Sequence, residues 1–357
     1  MMDSQKLKFV DKIIEEGIEE KIIPGAVLLV GRKESIVFWK AYGYKEVEPN
    51  KSKMEKDTIF DLASITKAVA TTTSIMILVE KSNLALDDKV AVYIPEFAKN
   101  GKENVTLKML LMHYSGLSNL KFHDTPDKVI ERICEEKPIC KPNSEYNYSC
   151  LGYIILGEIV ETVSGKSIDI FAQEKIFKPL GMKETMFNPT QKLLSRCAPT
   201  VYRDGRLLRG KPHDLHAYVM NGVAGNAGLF STAYDLAIFA QCILNDGIYN
   251  GVRILNPQTV KTMTLKTSPL HKNKRGIGWD ISSSSSIVKG NISSGYSFGH
   301  TGWTGGTLWI YPERDLFIIF LSNRVHPEDK PNGSIITKQL SALISDAVLR
   351  SINFSYH

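Results

Sequence analysis

Ser64 and Lys67 stand three residues apart at the start of an apolar segment, DLASITKAVATTTSIMILVEK, which spans residues 61–81. Residues i and i+3 share one face of a helix, so Lys67 is expected to reach the Ser64 hydroxyl. A serine hydroxyl becomes an effective nucleophile once a neighbour takes its proton. Because burial and the positive helix end both disfavour an ammonium group, we expect Lys67 to act as a base near neutral pH. Free backbone N–H groups at the helix start would suit an oxyanion.

The Ser-x-x-Lys pattern occurs three times in the chain, so its context decides. The Ser118/Lys121 match lies in a turn-rich loop, and the Ser286/Lys289 match ends a run of serines. Only Ser64 opens a long apolar helix. For an isolated match, a helix cap and a surface lysine would be the favoured interpretation. The other candidate residues weaken that interpretation here.

Two further segments carry groups that could move protons. Tyr148 lies just before a predicted helix, and a phenol relays protons when a nearby cation lowers its pKa from about 10. His300, Thr301 and Gly302 form a single His-Thr-Gly sequence on or entering a strand. Taken alone, the tyrosine would be a packed aromatic and the histidine part of a glycine-rich bend. Since histidine titrates near ~6.5, we expect His300 to make the reaction pH-dependent.

Composition narrows the class of partner. The 357 residues carry a net charge of +6 without a basic tract, which argues against nucleic-acid binding. The five cysteines are odd in number and have no framework spacing, which favours reduced thiols. The charged N-terminal segment has no signal-peptide pattern, and no run is long enough to span a membrane. We therefore expect a cytoplasmic protein, and the sequence carries no signal for an oligomeric state.

One histidine pair invites a metal interpretation. His213 and His216 flank Asp214, but a polar loop near a cleft explains them better. The chain lacks a His-Glu-x-x-His sequence and a metal-binding cysteine pair. We expect neither a metal nor a cofactor.

The elements that must position these residues alternate between the chain ends and the middle. Apolar runs on either side of a polar turn predict a hairpin after residue 25, and 307–311 with 316–321 predict another. The second arm of that hairpin is apolar on both faces, as in a strand covered by helices. We expect an α/β (α+β) fold in which residues 1–82 and 256–357 form an antiparallel sheet flanked by helices. Residues 83–255 form an inserted helical region, with a site in the cleft between.

The motifs, in this order, resemble those of the serine β-lactamase and penicillin-binding protein superfamily, and of its class C β-lactamase-like hydrolases and esterases most. The similarity includes IFDLASITKAVATT, LLMHYSGLSN, YSCLGYIILGEIVE, FKPLGM and GHTGWTGGTLWIYPERDLFIIFLSNRVHP. The segment RGKPHDLHAYVMNGVAGNAGLFSTAYDLAIFAQ resembles muropeptide amidases and a D-Ala-D-Ala carboxypeptidase. The resemblance implies a β-lactamase/transpeptidase-like fold.

The resemblance also implies roles for individual residues. Ser64 would be the acylated nucleophile, and Lys67 and Tyr148 would share the proton transfers. His300 would tune the charge near Tyr148 and the substrate. The backbone N–H groups of Ser64 and Trp303 would form the oxyanion hole. Each of these residues occupies the matching motif position.

Substrate-binding positions include three departures from the family pattern. Cys150 replaces an Asn or Asp that would bind the lysine and the substrate amide, and a thiol does both poorly. His300 replaces the lysine of true β-lactamases, and Asn226 stands where the narrower subgroup usually has His. Thr301 and Gly302 complete the third motif. Arg324 either binds a substrate carboxylate through its planar fork or forms a structural salt bridge.

These observations predict a serine hydrolase that works through an acyl-enzyme on an amide or ester. The expected substrate is a peptide derived from peptidoglycan or a small ester. A weak class C-like β-lactamase is the alternative within the same chemistry. An alternative of another class is a penicillin-binding protein that is acylated but barely turns over.

Overall fold

A computed structural model describes residues 3–121, 125–265, 274–282, 284–293 and 295–352. Within these ranges the strands are β1 (Gly25–Arg32), β2 (Ser35–Glu46), β3 (Ser52–Lys53), β4 (Phe60–Asp61), β5 (Met186–Phe187), β6 (Tyr202–Arg203), β7 (Arg206–Leu207), β8 (Leu229–Ser231), β9 (Ile248–Tyr249), β10 (Val252–Arg253), β11 (Lys274–Arg275), β12 (Asp280–Ser282), β13 (Phe298–Thr301), β14 (Thr307–Tyr311) and β15 (Leu316–Ser322). The α-helices are α1 (Ser4–Glu19), α2 (Thr73–Glu80), α3 (Leu107–Leu111), α4 (Pro126–Glu135), α5 (Cys150–Ser164), α6 (Ile168–Ala172), α7 (Lys178–Leu180), α8 (Leu215–Val219), α9 (Ala233–Leu244), α10 (Pro257–Thr264) and α11 (Gly333–Arg350).

The main sheet joins the two ends of the chain. Its strand order is β11-β12-β13-β14-β15-β1-β2-β3, and every neighbouring pair is antiparallel. At the junction, Ala26 pairs with Ser322 and Arg32 pairs with Leu316. The predicted antiparallel sheet and both predicted hairpins are confirmed. The boundaries proposed for the inserted region stay a prediction.

The sheet is covered on both faces, as its uninterrupted apolar strands require. Along β1, Val27 and Leu29 pack into the larger apolar cluster with the inserted helices, whereas Leu28 packs with α1 and α11 on the opposite face. This alternation follows from the two-residue period of a strand. All seven residues of β15 are buried, so the expected two-sided burial of that strand is confirmed.

Local signals place the helices near the cleft. Gly165 ends α5 in the left-handed conformation, with φ of 68°. The Thr232 side chain caps α9 by accepting the Asp235 N–H. Both helix ends follow from the local sequence, because capping is a local interaction. In the described residues, no helix combines the length and apolarity needed to cross a membrane.

The helix after Ser64 is not a regular α-helix. Residues 65–66 are helical, Lys67–Thr72 form a π-helical turn, and α2 follows. The Thr73 hydroxyl donates to the Ala68 carbonyl oxygen five residues earlier, at 3.0 Å. Short π-helical segments are frequent at functional sites.

Candidate active site

The Ser64 hydroxyl and the Lys67 ammonium group are in direct contact. Lys67 Nζ donates to Ser64 Oγ at 2.9 Å. Lys67 is fully buried, while Ser64 keeps part of its surface open to solvent. The predicted i, i+3 contact therefore forms, although the intervening turn leads into a π-helical segment.

Two further acceptors surround Lys67 Nζ. It donates to the Asn226 carbonyl oxygen at 2.8 Å and to Cys150 Sγ at 3.5 Å. Its ammonium group also lies 5.3 Å from the centre of the Tyr148 ring. Three parts of the chain therefore converge on one buried cation.

The expectation that Lys67 is a neutral base at rest is wrong. Burial lowers the pKa of Lys67, but the acidic groups of Cys150, Tyr148 and Asp214 outweigh burial and raise the pKa above its ordinary value. Hydrogen-bond acceptors on several sides favour the ammonium form. Tyr148 lies beside the same ammonium group.

Asp61, which the motif comparison missed, fixes the backbone of residues 61–64. We call this segment the nucleophile loop, because it ends at Ser64, the predicted nucleophile. Asp61 Oδ1 accepts the Ala63 N–H at 2.9 Å, and Oδ2 accepts the His213 N–H at 2.7 Å. Ala63 has a φ of 45°, a left-handed conformation that non-glycine residues rarely hold without support. The Thr304 hydroxyl donates to the Asp61 carbonyl oxygen at 2.7 Å. One buried residue thus connects the nucleophile loop with two other loops.

The third motif lies directly against the nucleophile loop. A Cβ added to Gly302 would lie only 2.4 Å from the Leu62 carbonyl oxygen, so this contact requires glycine. Gly302 N–H donates to the Gly306 carbonyl oxygen at 2.8 Å and holds the turn. The backbone N–H groups of Ser64 and Trp303 donate to no acceptor among the residues that the structure describes. Such free N–H groups are what an oxyanion hole requires.

His300 is a buried, neutral histidine. Burial first, and then the positive charges of Arg275 and Lys67, hold the pKa of His300 well below its ordinary value. Its Nδ1–H donates to the Thr301 carbonyl oxygen at 2.9 Å. The expectation that His300 titrates near ~6.5 is therefore wrong. The missing information was the charge of its neighbours, which are distant in sequence.

Cys150 and Asn226 both lie against Lys67. Cys150 is the first residue of α5, and burial raises the pKa of its thiol. Asn226 Nδ2 donates to Asp214 Oδ1 at 2.9 Å, and Asp214 also caps α8. The neighbouring His216 is buried. Among the described residues, no group of three His, Cys, Asp or Glu side chains has an arrangement that could hold a metal ion.

Arg324 lies in a cleft under the third motif, together with Thr301, Gly302, Ser334 and Lys338. Its Nη1 donates to Asp329 Oδ1 at 2.7 Å, so the structural salt bridge exists.

The guanidinium group of Arg324 also has unused donors. Only 2% of the side chain is exposed, yet Nε and Nη2 have no hydrogen-bond partner in the described parts of the chain. The Trp303 ring covers the guanidinium at 5.0 Å, and its Nε1–H donates to Asp329 Oδ2 at 2.6 Å. The Arg324 salt bridge therefore leaves donors available for a ligand.

The other two Ser-x-x-Lys serines have structural contacts. The Ser118 carbonyl oxygen accepts the Ser149 hydroxyl at 2.6 Å, and Ser286 Oγ donates to Asp280 Oδ1 at 2.7 Å. The contact with Lys67 singles out Ser64.

Comparison with known proteins identifies the family. Residues 10–340 match the family model described as Beta-lactamase. The chain belongs to the beta-lactamase family. It is 35% identical to the N-acetylmuramyl-L-alanine amidase of Bacillus subtilis (strain 168), over 95% of this chain and 90% of that protein. It is 32% identical to an Escherichia coli (strain K12) protein that carries the name D-alanyl-D-alanine carboxypeptidase. That match covers 92% of this chain and 86% of the Escherichia coli protein.

The fold agrees with this membership. The hydrolase EstCE1, which has promiscuous acyltransferase activity, superposes with a TM-score of 0.78 at 21% identity, covering 96% of this chain and 98% of EstCE1. That likeness is one of fold. Together with the family match and the relatives, it confirms the prediction of a serine hydrolase with a β-lactamase-like fold.

Asp61 should make activity and stability depend on pH. Burial raises the pKa of Asp61 to about 6, although the His213 and Ala63 N–H groups oppose this. Protonation below pH ~6 weakens its acceptance of these N–H groups, so we expect kcat/KM to fall there. Because the folded pKa is raised, the contribution of Asp61 to stability is full below pH ~4. It falls by roughly 3 kcal/mol as pH rises through ~6.

The measurement compares pH–rate profiles and unfolding free energies of the wild type and Asp61→Asn. The variant should lose both pH dependences. Asp88→Asn is the matched control, because the Asp88 carboxylate also accepts a backbone N–H, from Ala85. Superimposable profiles for the wild type and Asp61→Asn would contradict this role.

Proposed function

We propose that this serine hydrolase cleaves amide bonds in small peptides derived from peptidoglycan, through an acyl-enzyme on Ser64. The observation that carries the proposal is the contact between Lys67 Nζ and Ser64 Oγ, with two free N–H groups nearby. The named activities of the Bacillus and Escherichia relatives support this substrate class. These relatives match 95% and 92% of this chain, so the similarity includes the whole proposed site.

The reaction proceeds in two halves. Ser64 Oγ attacks the substrate carbonyl carbon while its proton passes to the Tyr148 oxygen and the Tyr148 hydroxyl proton moves on toward the substrate nitrogen. The Ser64 and Trp303 N–H groups stabilise the oxyanion. The carbon–nitrogen bond then breaks, and the leaving amine takes the proton from Tyr148. Water attacks the acyl group, gives up a proton by the same route and regenerates the Ser64 hydroxyl. Lys67 remains an ammonium group and stabilises negative charge on Tyr148 during each transfer.

A small ester is the second candidate substrate, and Cys150 favours it. The family resemblance implies that an amide side chain at this position would hold a substrate amide. The Cys150 thiol, 3.5 Å from Lys67 Nζ, donates and accepts hydrogen bonds only weakly. An activated ester depends less on that contact. A weak β-lactamase and an acylated binder with little turnover remain the alternatives, and burst kinetics distinguish the binder because it releases one equivalent and stops.

We infer that a carboxylate on the substrate binds to Arg324 at the cleft under the third motif. Arg324 offers Nε and Nη2 there, and Lys338 and the Thr301 side chain line the same cleft. Burial lowers the pKa of Lys338, the charge of Asp280 opposes this, and the charge of Arg324 lowers the pKa further. A guanidinium group binds a carboxylate in two-point geometry. Peptidoglycan peptides carry such carboxylates.

We also propose a reducing compartment, the cytoplasm. All five cysteines are free thiols, and four of them are buried. Disulfides form and persist in oxidising compartments, so unpaired cysteines favour the interior of the cell.

Ser64→Ala should abolish hydrolysis and covalent labelling by a fluorophosphonate or penicillin. Ser118→Ala is the matched control, because Ser118 belongs to another Ser-x-x-Lys sequence. Intact-protein mass spectrometry with peptide mapping locates the adduct. An adduct on Ser118, Ser286 or a cysteine would contradict the assignment of Ser64 as the nucleophile. Substrates for the assay are D-alanyl peptides, muropeptides, p-nitrophenyl esters and a chromogenic cephalosporin.

Cys150→Asn should raise turnover of amides or β-lactams relative to esters. The new side chain supplies the strong acceptor and donor that the thiol lacks. One satisfied buried group corresponds to ~1–3 kcal/mol, or roughly ten- to a hundredfold in the ratio of kcat/KM values. Cys150→Ala removes the thiol without adding an amide and should leave that ratio unchanged. An unchanged ratio in Cys150→Asn would place Cys150 outside the substrate contacts.

Arg324→Lys should weaken binding of carboxylate substrates selectively. The lysine keeps the charge but loses the planar fork, so KM should rise roughly tenfold for a peptide with a free carboxylate. KM for the same peptide with its carboxylate amidated should stay the same. Arg209→Lys is the control, since Arg209 also pairs with a carboxylate, that of Glu46. Equal KM changes for both peptides would rule out carboxylate recognition.

A further inference from the structure

His113 contacts four consecutive residues of the segment that carries Tyr148. Its carbonyl oxygen accepts the Asn147 N–H at 2.9 Å, and its ring Nδ1 accepts the Ser149 N–H at 3.1 Å. Its ring lies against the Tyr148 ring, with centroids 4.3 Å apart and planes 30° apart. The Tyr146 ring meets it edge-on at 6.1 Å.

The hydrogen bond to Ser149 determines the state of the ring. Because Nδ1 accepts an N–H, the proton of the neutral imidazole is on Nε2. A second proton would remove that acceptor. It would also add a charge near Arg275 and Lys67, whose positive charges lower the pKa of His113 after burial does. The ring therefore presents a neutral, fixed face to Tyr148.

His113 holds this position at a local conformational cost. Its φ is 63°, in the left-handed region, and only 1% of the residue is exposed. A non-glycine residue keeps such a backbone when the surrounding contacts over-determine it. For His113, these contacts are the ones it makes with residues 146–149. The strained backbone and the stacked ring are two independent observations on the same residue.

We propose that His113 is a positioning residue that holds the Tyr148 phenol in line with Lys67 and Ser64. The ring stack fixes the plane of the phenol, and the Ser149 N–H bond fixes the backbone behind it. The inference rests on the proposed proton transfer by Tyr148. His113 itself neither contacts the nucleophile nor exchanges a proton.

The His113→Asn variant separates the effect of the ring stack on Tyr148 from that of the hydrogen bond with the Ser149 N–H. Asparagine tolerates the left-handed backbone, and its Oδ1 can still accept the Ser149 N–H, but the stacked ring is gone. Since a small misplacement of a reacting group has a large effect, we expect kcat for a p-nitrophenyl ester to fall roughly tenfold or more, with KM nearly unchanged. In a Tyr148→Phe background the same substitution should have little further effect, because the group it positions is absent.

His326→Asn is the matched control. His326 is also buried, and its Nε2 accepts the Val47 N–H at 3.1 Å, away from the catalytic residues. The control should stay within about twofold of the wild-type kcat, since it touches no catalytic group. Equal losses from His113→Asn with and without the Tyr148 hydroxyl would overturn the proposal. So would a wild-type kcat in His113→Asn while Ser64→Ala is inactive, and that result would leave the proposed function standing.

The wild-type protein gives a test that does not depend on a variant folding. Nitrogen-15 chemical shifts of labelled histidine report which ring nitrogen carries the proton. We expect His113 to remain neutral, with its proton on Nε2, across the pH range of activity. A proton on Nδ1, or titration of this ring within that range, would overturn the proposal.

Discussion

The buried ammonium group of Lys67 is the constraint on which the site depends. An ion removed from water is strongly destabilising unless acceptors replace its hydration. Ser64 Oγ, the Asn226 carbonyl oxygen and Cys150 Sγ supply them from three separate parts of the chain. The nucleophile helix, the start of α5 and the loop before β8 must therefore meet at one point. The catalytic geometry follows from satisfying one charge.

The nucleophile loop and the third motif are joined by a different kind of contact. Asp61 binds the Ala63 N–H, and its carbonyl oxygen accepts the Thr304 hydroxyl. Gly302 lets the two backbones approach each other closely. These bonds hold the Ser64 and Trp303 N–H groups near each other without donating to them. An oxyanion hole needs such donors fixed before the reaction, because reorienting them during it would raise the barrier.

The sequence predicted what depends on local pattern. The two hairpins and the contact of Ser64 with Lys67 follow from residue periods. The charge states of Lys67 and His300 were predicted wrongly, since they depend on neighbours brought close only by folding. The position of Lys67 near the start of a helix gives no information on the acceptors that folding brings around its ammonium group.

Asp61 and His113 lie within segments that the family resemblance had already singled out, IFDLASITKAVATT and LLMHYSGLSN. Their roles were still missed, because the side chain of each binds backbone N–H groups. Almost every residue offers such a group, so the pairing leaves no pattern of residue types. A motif comparison finds groups that react with substrate more readily than groups that hold the backbone.

Cys150 makes the longest of the three hydrogen bonds that hold the Lys67 ammonium group. Lys67 Nζ makes its shorter bonds to Ser64 and Asn226, at 2.9 and 2.8 Å, and its longest to the Cys150 sulfur, at 3.5 Å. The ammonium group therefore has two good acceptors without the thiol. A thiol at this position leaves the arrangement of Ser64 and Lys67 intact and removes only a strong hydrogen-bonding group from the substrate side. In the proposed mechanism, chemistry at Ser64 and recognition of an amide thus depend on different residues.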